Sequence, residues 1–201
     1  FNVRNRITED EDGDIWLWRY DSIQKAPGLG AFISYDFGGY GCFVSSIRLD
    51  GTILSETSEH HFRDEDFSDN IEHQAGLRWA IDLSYIPAIL VNDFILGYCK
   101  AGFTIAGIKE KALVRNEDAP WEVEDSLTVL HHAGGYVLGA GVSVAICDGL
   151  SFFTEYNWRD YVSPFSSLKT IALQGGQNDT VDTKITSAHS IGLTFGILAK
   201  F

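Results

Sequence analysis

Residues 185–201, ITSAHSIGLTFGILAKF, place Phe201, Ala199, Ile197, Phe195, Leu193 and Ile191 on one side of an extended chain. Lys200, Leu198, Gly196, Thr194, Gly192 and Ser190 fall on the other, because side chains alternate with period two along a strand. One face is apolar, and the other is small and mostly polar. A strand of a soluble sandwich carries the same pattern. Two features favour a bilayer here. The apolar face continues for about ten residues, roughly what a tilted strand needs to cross. The opposite face holds glycines rather than solvated charges, as a narrow lumen requires.

The same alternation recurs upstream. Residues 1–8 read as the outer end of a truncated first strand, followed by the acidic TEDEDGD. Residues 14–23, DIWLWRYDSI, read as the return leg of a hairpin around Asp12-Gly13. Leu29, Ala31, Ile33, Tyr35 and Phe37 then share a face, and residues 37–40, FGGY, are expected to turn. Phe43, Ser45, Ile47 and Leu49 point outward, with Cys42, Val44, Ser46, Arg48 and Asp50 inward, before an acidic segment at 51–71. A fourth strand sets Leu77, Trp79, Ile81, Leu83 and Tyr85 outside and Gly76, Arg78, Ala80, Asp82 and Ser84 inside; Pro87 is expected to end it, with a short turn across 86–92.

The fifth strand carries Ile95, Cys99, Ala101, Phe103 and Ile105 outward against Lys100, Gly102 and Thr104, and an acidic loop is expected over 109–130. In the sixth, Tyr136, Leu138, Ala140, Val142, Val144 and Ile146 oppose Val137, Gly139, Gly141, Ser143 and Ala145. After the turn Cys147-Asp148-Gly149, the seventh sets Leu150, Phe152, Thr154, Tyr156 and Trp158 against Ser151, Phe153, Glu155, Asn157 and Arg159. A polar loop is expected over 163–184, ahead of the last strand. Short turns and long polar connections therefore alternate. An eight-stranded antiparallel up-and-down transmembrane β-barrel, with long extracellular loops and short periplasmic turns, produces this alternation.

Composition is compatible with a single all-β domain over residues 1–201. No apolar run reaches the roughly 18–20 residues of a membrane helix. A chain that starts at Phe1 and has no methionine reads as processed or trimmed. The net charge of −13 argues against nucleic-acid binding, which needs clustered Lys and Arg. The three cysteines, Cys42, Cys99 and Cys147, form no framework; isolated thiols are expected over a Cys42–Cys147 bridge.

The segments LRWAIDLSYIP, LGYCKAGFTIAG, GGYVLGAGVSVAI with its Asp148-Gly149 turn, LSFFTEYNWRDY and the aromatic-terminated last strand occur in that order over residues 72–201. With them the chain resembles the eight-stranded outer-membrane barrel superfamily that includes the OmpA and OmpX transmembrane domains. It looks most like the small alpha-proteobacterial surface antigens and hemin-binding barrels. The resemblance implies an integral protein of a Gram-negative outer membrane, in contact with its lipids. It also implies that Phe201 is a signal read by the barrel-assembly machinery. The expected role is that of a surface antigen, adhesin or envelope-stabilising barrel, with no catalysis; a hemin-binding barrel or narrow pore is the alternative.

Within the lumen the register places Arg48, Asp50, Arg78, Asp82, Lys100, Glu155 and Arg159, expected to form an ion-pair network, since buried charges persist only when paired. His73, His132 and His189 point outward and His131 inward in this register, so no metal or heme cluster is expected. His189 and Ser190 are adjacent and take opposite faces, which removes a His, Ser and carboxylate triad with Glu155. The acidic loops offer contact candidates for a host surface or hemin: Trp16, Trp18, Tyr20, His60, His61 and Trp121. D-E-D-G-D misses calcium-loop spacing because Gly13 comes too early. No cofactor is expected.

Overall fold

Ten strand segments make the whole described secondary structure. The computed structural model describes residues 2–11, 14–23, 26–55, 70–115, 123–162, 165–172 and 178–199, with side chains over 26–55, 75–110, 128, 130–162 and 188–199. In chain order the strands are β1 (Asn2–Glu11), β2 (Asp14–Ile23), β3 (Gly28–Tyr40), β4 (Phe43–Leu54), β5 (Asn70–Asn92), β6 (Ile95–Arg115), β7 (Val123–Cys147), β8 (Leu150–Tyr161), β9 (Phe165–Ala172) and β10 (Asn178–Ala199). All pairings are antiparallel, in the order β2-β1-β10-β8-β7-β6-β5-β4-β3, and β9 continues the β8 edge of β10. The segments trace eight staves: β1, β2 with β3, β4, β5, β6, β7, β8 with β9, and β10.

The sheet is rolled rather than flat. Arg48 on β4 reaches Glu155 on β8, and Arg159 on β8 reaches Asp82 on β5, although β8 is separated from both by other strands of the sheet. Only curvature brings such side chains together. Rolling follows from the residues: inward positions are small or polar, and outward positions are branched or aromatic, so the narrow face closes on itself.

Three two-residue turns lie at one end, at Gly41 and Cys42, Asp93 and Phe94, and Asp148 and Gly149. The turn expected at 37–40 therefore comes later. Gly38, with φ of +91°, forms a bulge between Asp36 and Gly39, and Gly41, with φ of +64°, turns the chain. Pro87 does not end its strand. It sits on the exposed outer face of β5, where the pairing to β6 passes from Tyr85 to Ala88, so the missing N–H of proline interrupts little. The Asn92 side chain accepts hydrogen bonds from the amides of Phe94 and Ile95 and closes the real turn, each at 2.9 Å.

At the opposite end β5, β6 and β7 run for 23, 21 and 25 residues. Much of what reads as acidic loop is thus strand: β6 extends to Arg115 and β7 begins at Val123, inside the loop expected over 109–130. Likewise β9 and the start of β10 occupy the loop expected over 163–184, and β4 continues to Leu54. Backbone ladders continue past the apolar belt because they need no apolar face. The hairpin of β1 and β2, paired from Asn2 opposite Ile23 to Glu11 opposite Asp14, agrees with its sequence reading.

One bulge changes a face. Leu77 pairs with Ile108 and Trp79 with Gly107, so Arg78 is an extra residue. The parity of β5 reverses there. Leu77, expected outside, is buried inside with Ala75, Ile108, Ala133 and Ala188. Beyond the bulge Ala80, Asp82 and Ser84 face inward as expected.

Candidate functional site

Inside the barrel, β4, β5, β6 and β8 each contribute charges at one level. Lys100 Nζ lies 3.0 Å from Asp50 Oδ2, 3.1 Å from Asp82 Oδ2 and 3.5 Å from Glu155 Oε1. Arg48 pairs with Asp50 at 2.9 Å and with Glu155. Arg159 Nη2 donates to Asp82 Oδ2 at 2.8 Å and its Nε to Oδ1 at 3.0 Å, a two-pronged contact. Asn157 Nδ2 donates to Glu155 at 2.7 Å. Three cations and three carboxylates thus meet with no net charge.

These groups are deep: Lys100 is 2% exposed and Asp82 0%. The Arg48 guanidinium is also flanked by the Phe32 and Tyr98 rings, 4.9 and 5.9 Å from their centroids. Space for the rings comes from glycine. A Cβ on Gly141 would stand 2.4 Å from the Tyr98 ring, and one on Gly196 would stand 2.5 Å from the Phe153 ring.

Apolar layers bracket the charges. Along β5, Leu77 and Ala80 precede Asp82, while Ile86 and Ala88 follow it; along β6, Tyr98 precedes Lys100, while Ala106 and Ile108 come after. The charges are held between two greasy ends, where desolvation is offset by mutual pairing.

Six of the seven sequence-selected lumen residues are joined in this network. Arg78 stands half-buried at the β5 bulge. A lumen pair that sequence reading missed lies nearer the loop end, where His131 Nε2 and Glu110 Oε2 are 3.1 Å apart. Counting by twos from Thr104 through Ala106 and Ile108 leads to Glu110, but the acidic composition from residue 109 onward obscured the strand.

Of the other candidates, Ser190 is buried in the lumen and His189 alternates to the opposite face. His132 is outside, with its ring 5.7 Å from that of Trp79. The side chain of His73 lies outside the described residues, as do those of Trp16, Trp18 and Tyr20, whose backbone belongs to β2. His60, His61, Trp121 and Phe201 lie outside the described residues altogether. All three cysteines are free and exposed. Cys42, expected inward, and Cys147 sit in or beside the turns, where the hairpin geometry and the bulge after Ala145 break the alternation.

The outer surface has the opposite character. Ile47, Leu83, Phe103, Val142, Phe152 and Phe195 are all exposed large hydrophobics, one from each of β4 to β8 and β10. From Trp79 to Ile89 the outward positions of β5 carry no charge. Aromatics gather at both ends of this belt. Tyr40, Phe43 and Phe94 stand by the turns, while Trp158 packs edge-on against Tyr136 at 5.5 Å toward the loops. Tyr136 also donates to Asp160 at 2.7 Å, which marks the return of charge.

Polar inside and apolar outside, the fold is an antiparallel up-and-down β-barrel of the inverted kind. Over the whole of this chain it is similar to solved structures that include the following three. Ail, the attachment invasion locus protein of Yersinia pestis, aligns at 10% identity over 95% of its own length, with a TM-score of 0.40. Ail in complex with the heparin analogue sucrose octasulfate aligns at 12% identity over 95%, with 0.38. Neisserial surface protein A aligns at 11% identity over 94%, with 0.38. No family model matches the chain, and no curated protein does.

Proposed function

We propose that this protein is an integral outer-membrane barrel that displays long polar, acidic segments on the cell surface, acting as an antigen, an adhesin or an envelope-stabilising protein. The observation that carries the reading is the belt of exposed branched and aromatic residues around a neutral, ion-paired lumen. A contiguous apolar surface of this extent is unfavourable in water and favourable against acyl chains. The belt spans about ten residues per strand, the length of a tilted crossing. With the lumen charges paired among themselves, the connections at the long end are left to meet partners.

The test is refolding into lipid vesicles, protease digestion and mass analysis of the fragments that survive. Protection of β4 to β8, with cleavage confined to the segments around 56–69, 116–122 and 173–177, is the expected result. A chain that stays compact and monodisperse without lipid or detergent, with the same protection, defeats the membrane reading.

A further inference from the structure

Two strand edges face one another across an open seam. Between residues 180 and 189, β10 pairs with β1 on one edge, but from Ser190 to Ala199 that edge has no strand partner among the described residues, although β8 fills the other edge. Over residues 28–35, β3 pairs with β4, and its other edge meets no strand among the described residues. A cavity of about 1190 Å³ lies between them, lined by residues of both strands and reaching Asp50, Lys100, Glu155 and Arg159.

Burial reports the same gap independently. Inward residues of β4 to β8 are buried or half-buried, whereas Gly30 and Ser34 on β3 and Thr194 on β10 are exposed although they face the lumen. In a membrane such a seam would leave backbone N–H and C=O groups without partners and open the cavity that reaches the charged network to hydrocarbon. Lipid tolerates neither.

We infer that the seam is an acceptor for one extended β-strand of about ten residues, supplied by this chain on the amino-terminal side of Phe1. The direction comes from β1, which is paired on both edges: Asn2 stands opposite His189 on β10 and Ile23 on β2, at the upper mouth of the seam. Traced backward from Asn2, antiparallel pairing leads down β10 toward Ala199 and, on the other side, down β3 toward its turn. A single strand there is antiparallel to both edges and satisfies both ladders.

The face pattern of the occupant also follows. Residues directly opposite one another share a face, so positions opposite Ile191, Leu193, Phe195 and Ile197 are apolar and meet lipid. Those opposite Gly192, Thr194 and Gly196 are small or polar and cover the network. A Cβ on Gly192 would meet nothing within 4 Å, so the lumen side has room.

This inference rests on the membrane reading above, and amide hydrogen exchange with intact mass measurement separates the two. The protein isolated from its native membrane is expected to be heavier than residues 1–201 by at least about ten residues, the length of one crossing, with slow exchange over 28–35 and 191–199. The chain beginning at Phe1, in the same lipid, should exchange rapidly at those two edges while β5 to β8 remain protected. A native protein that begins at Phe1, or native edges that exchange as fast as those of the shorter chain, overturns the inference. So does edge protection in the shorter chain: independent of concentration it means that β3 and β10 pair directly, and rising with concentration it means that a second copy fills the seam. Failure of the membrane reading is visible separately, as protection of β5 to β8 that needs no lipid.

Discussion

Lys100 touches all three carboxylates of the network, and among the described residues its ammonium is the one cation that pairs with each. Its removal leaves three carboxylates facing two guanidiniums in a buried space. Breaking a buried pair costs about 3–5 kcal/mol, since the orphaned charge stays desolvated. Lys100→Ala and Glu155→Ala should each lower stability by that order in urea unfolding followed by tryptophan fluorescence in vesicles. A loss below about 1 kcal/mol, the ordinary worth of an exposed pair, would mean that water screens the network. Leu77 makes a different point at the same scale. Downstream parity puts it on the outer face, but the bulge turns it inside. Leu77→Ala should cost about 2–5 kcal/mol, as core truncations do; a near-neutral result in the same assay would return Leu77 to the outer face.

Each strand of the apolar belt presents two faces with opposite tolerances. Phe195 and Val142 are exposed on the outer face, and an arginine near the bilayer midplane costs about 2–4 kcal/mol. Phe195→Arg and Val142→Arg should therefore reduce insertion by that amount, read from the folded fraction on unboiled gels across a urea series. Thr194→Arg, one residue from Phe195, points to the lumen and should act through crowding rather than lipid exclusion. Its cost should be independent of lipid chain length, whereas that of Phe195→Arg should vary with it. Equal dependence for both would undo the assignment of faces on β10.

For the molecule as a whole, the two apolar layers and the neutral network between them would fill the lumen once the strand inferred above closes the seam. Planar bilayers containing the native protein should show no steady single-channel current, and Glu155→Ala should destabilise without opening one. Stable unitary conductance from the unmutated protein would favour the pore reading and remove the packed-lumen account.

The faces of β4, β6, β7, β8 and β10 were legible from alternation alone, because an apolar residue at every second position has one physical explanation wherever the turns are short. The same parity brought Arg48, Asp50, Asp82, Lys100, Glu155 and Arg159 into one lumen, and the Asp148-Gly149 turn was readable from its chemistry. Period two fails at a bulge, so the inversion at Arg78 and the true turn at Gly41 and Cys42 depended on which ladder partners won. It also falls silent where strands run past the apolar belt. There neither face must be apolar, and Glu110 with His131 stayed hidden in an acidic stretch. Which carboxylate meets which cation was decided by the roll of the sheet, since β4, β5 and β8 converge only when the barrel curves. Sequence determined the two faces because solvent acts on each side chain locally; tertiary structure decided the pairing and the seam because those depend on strands far apart in the chain.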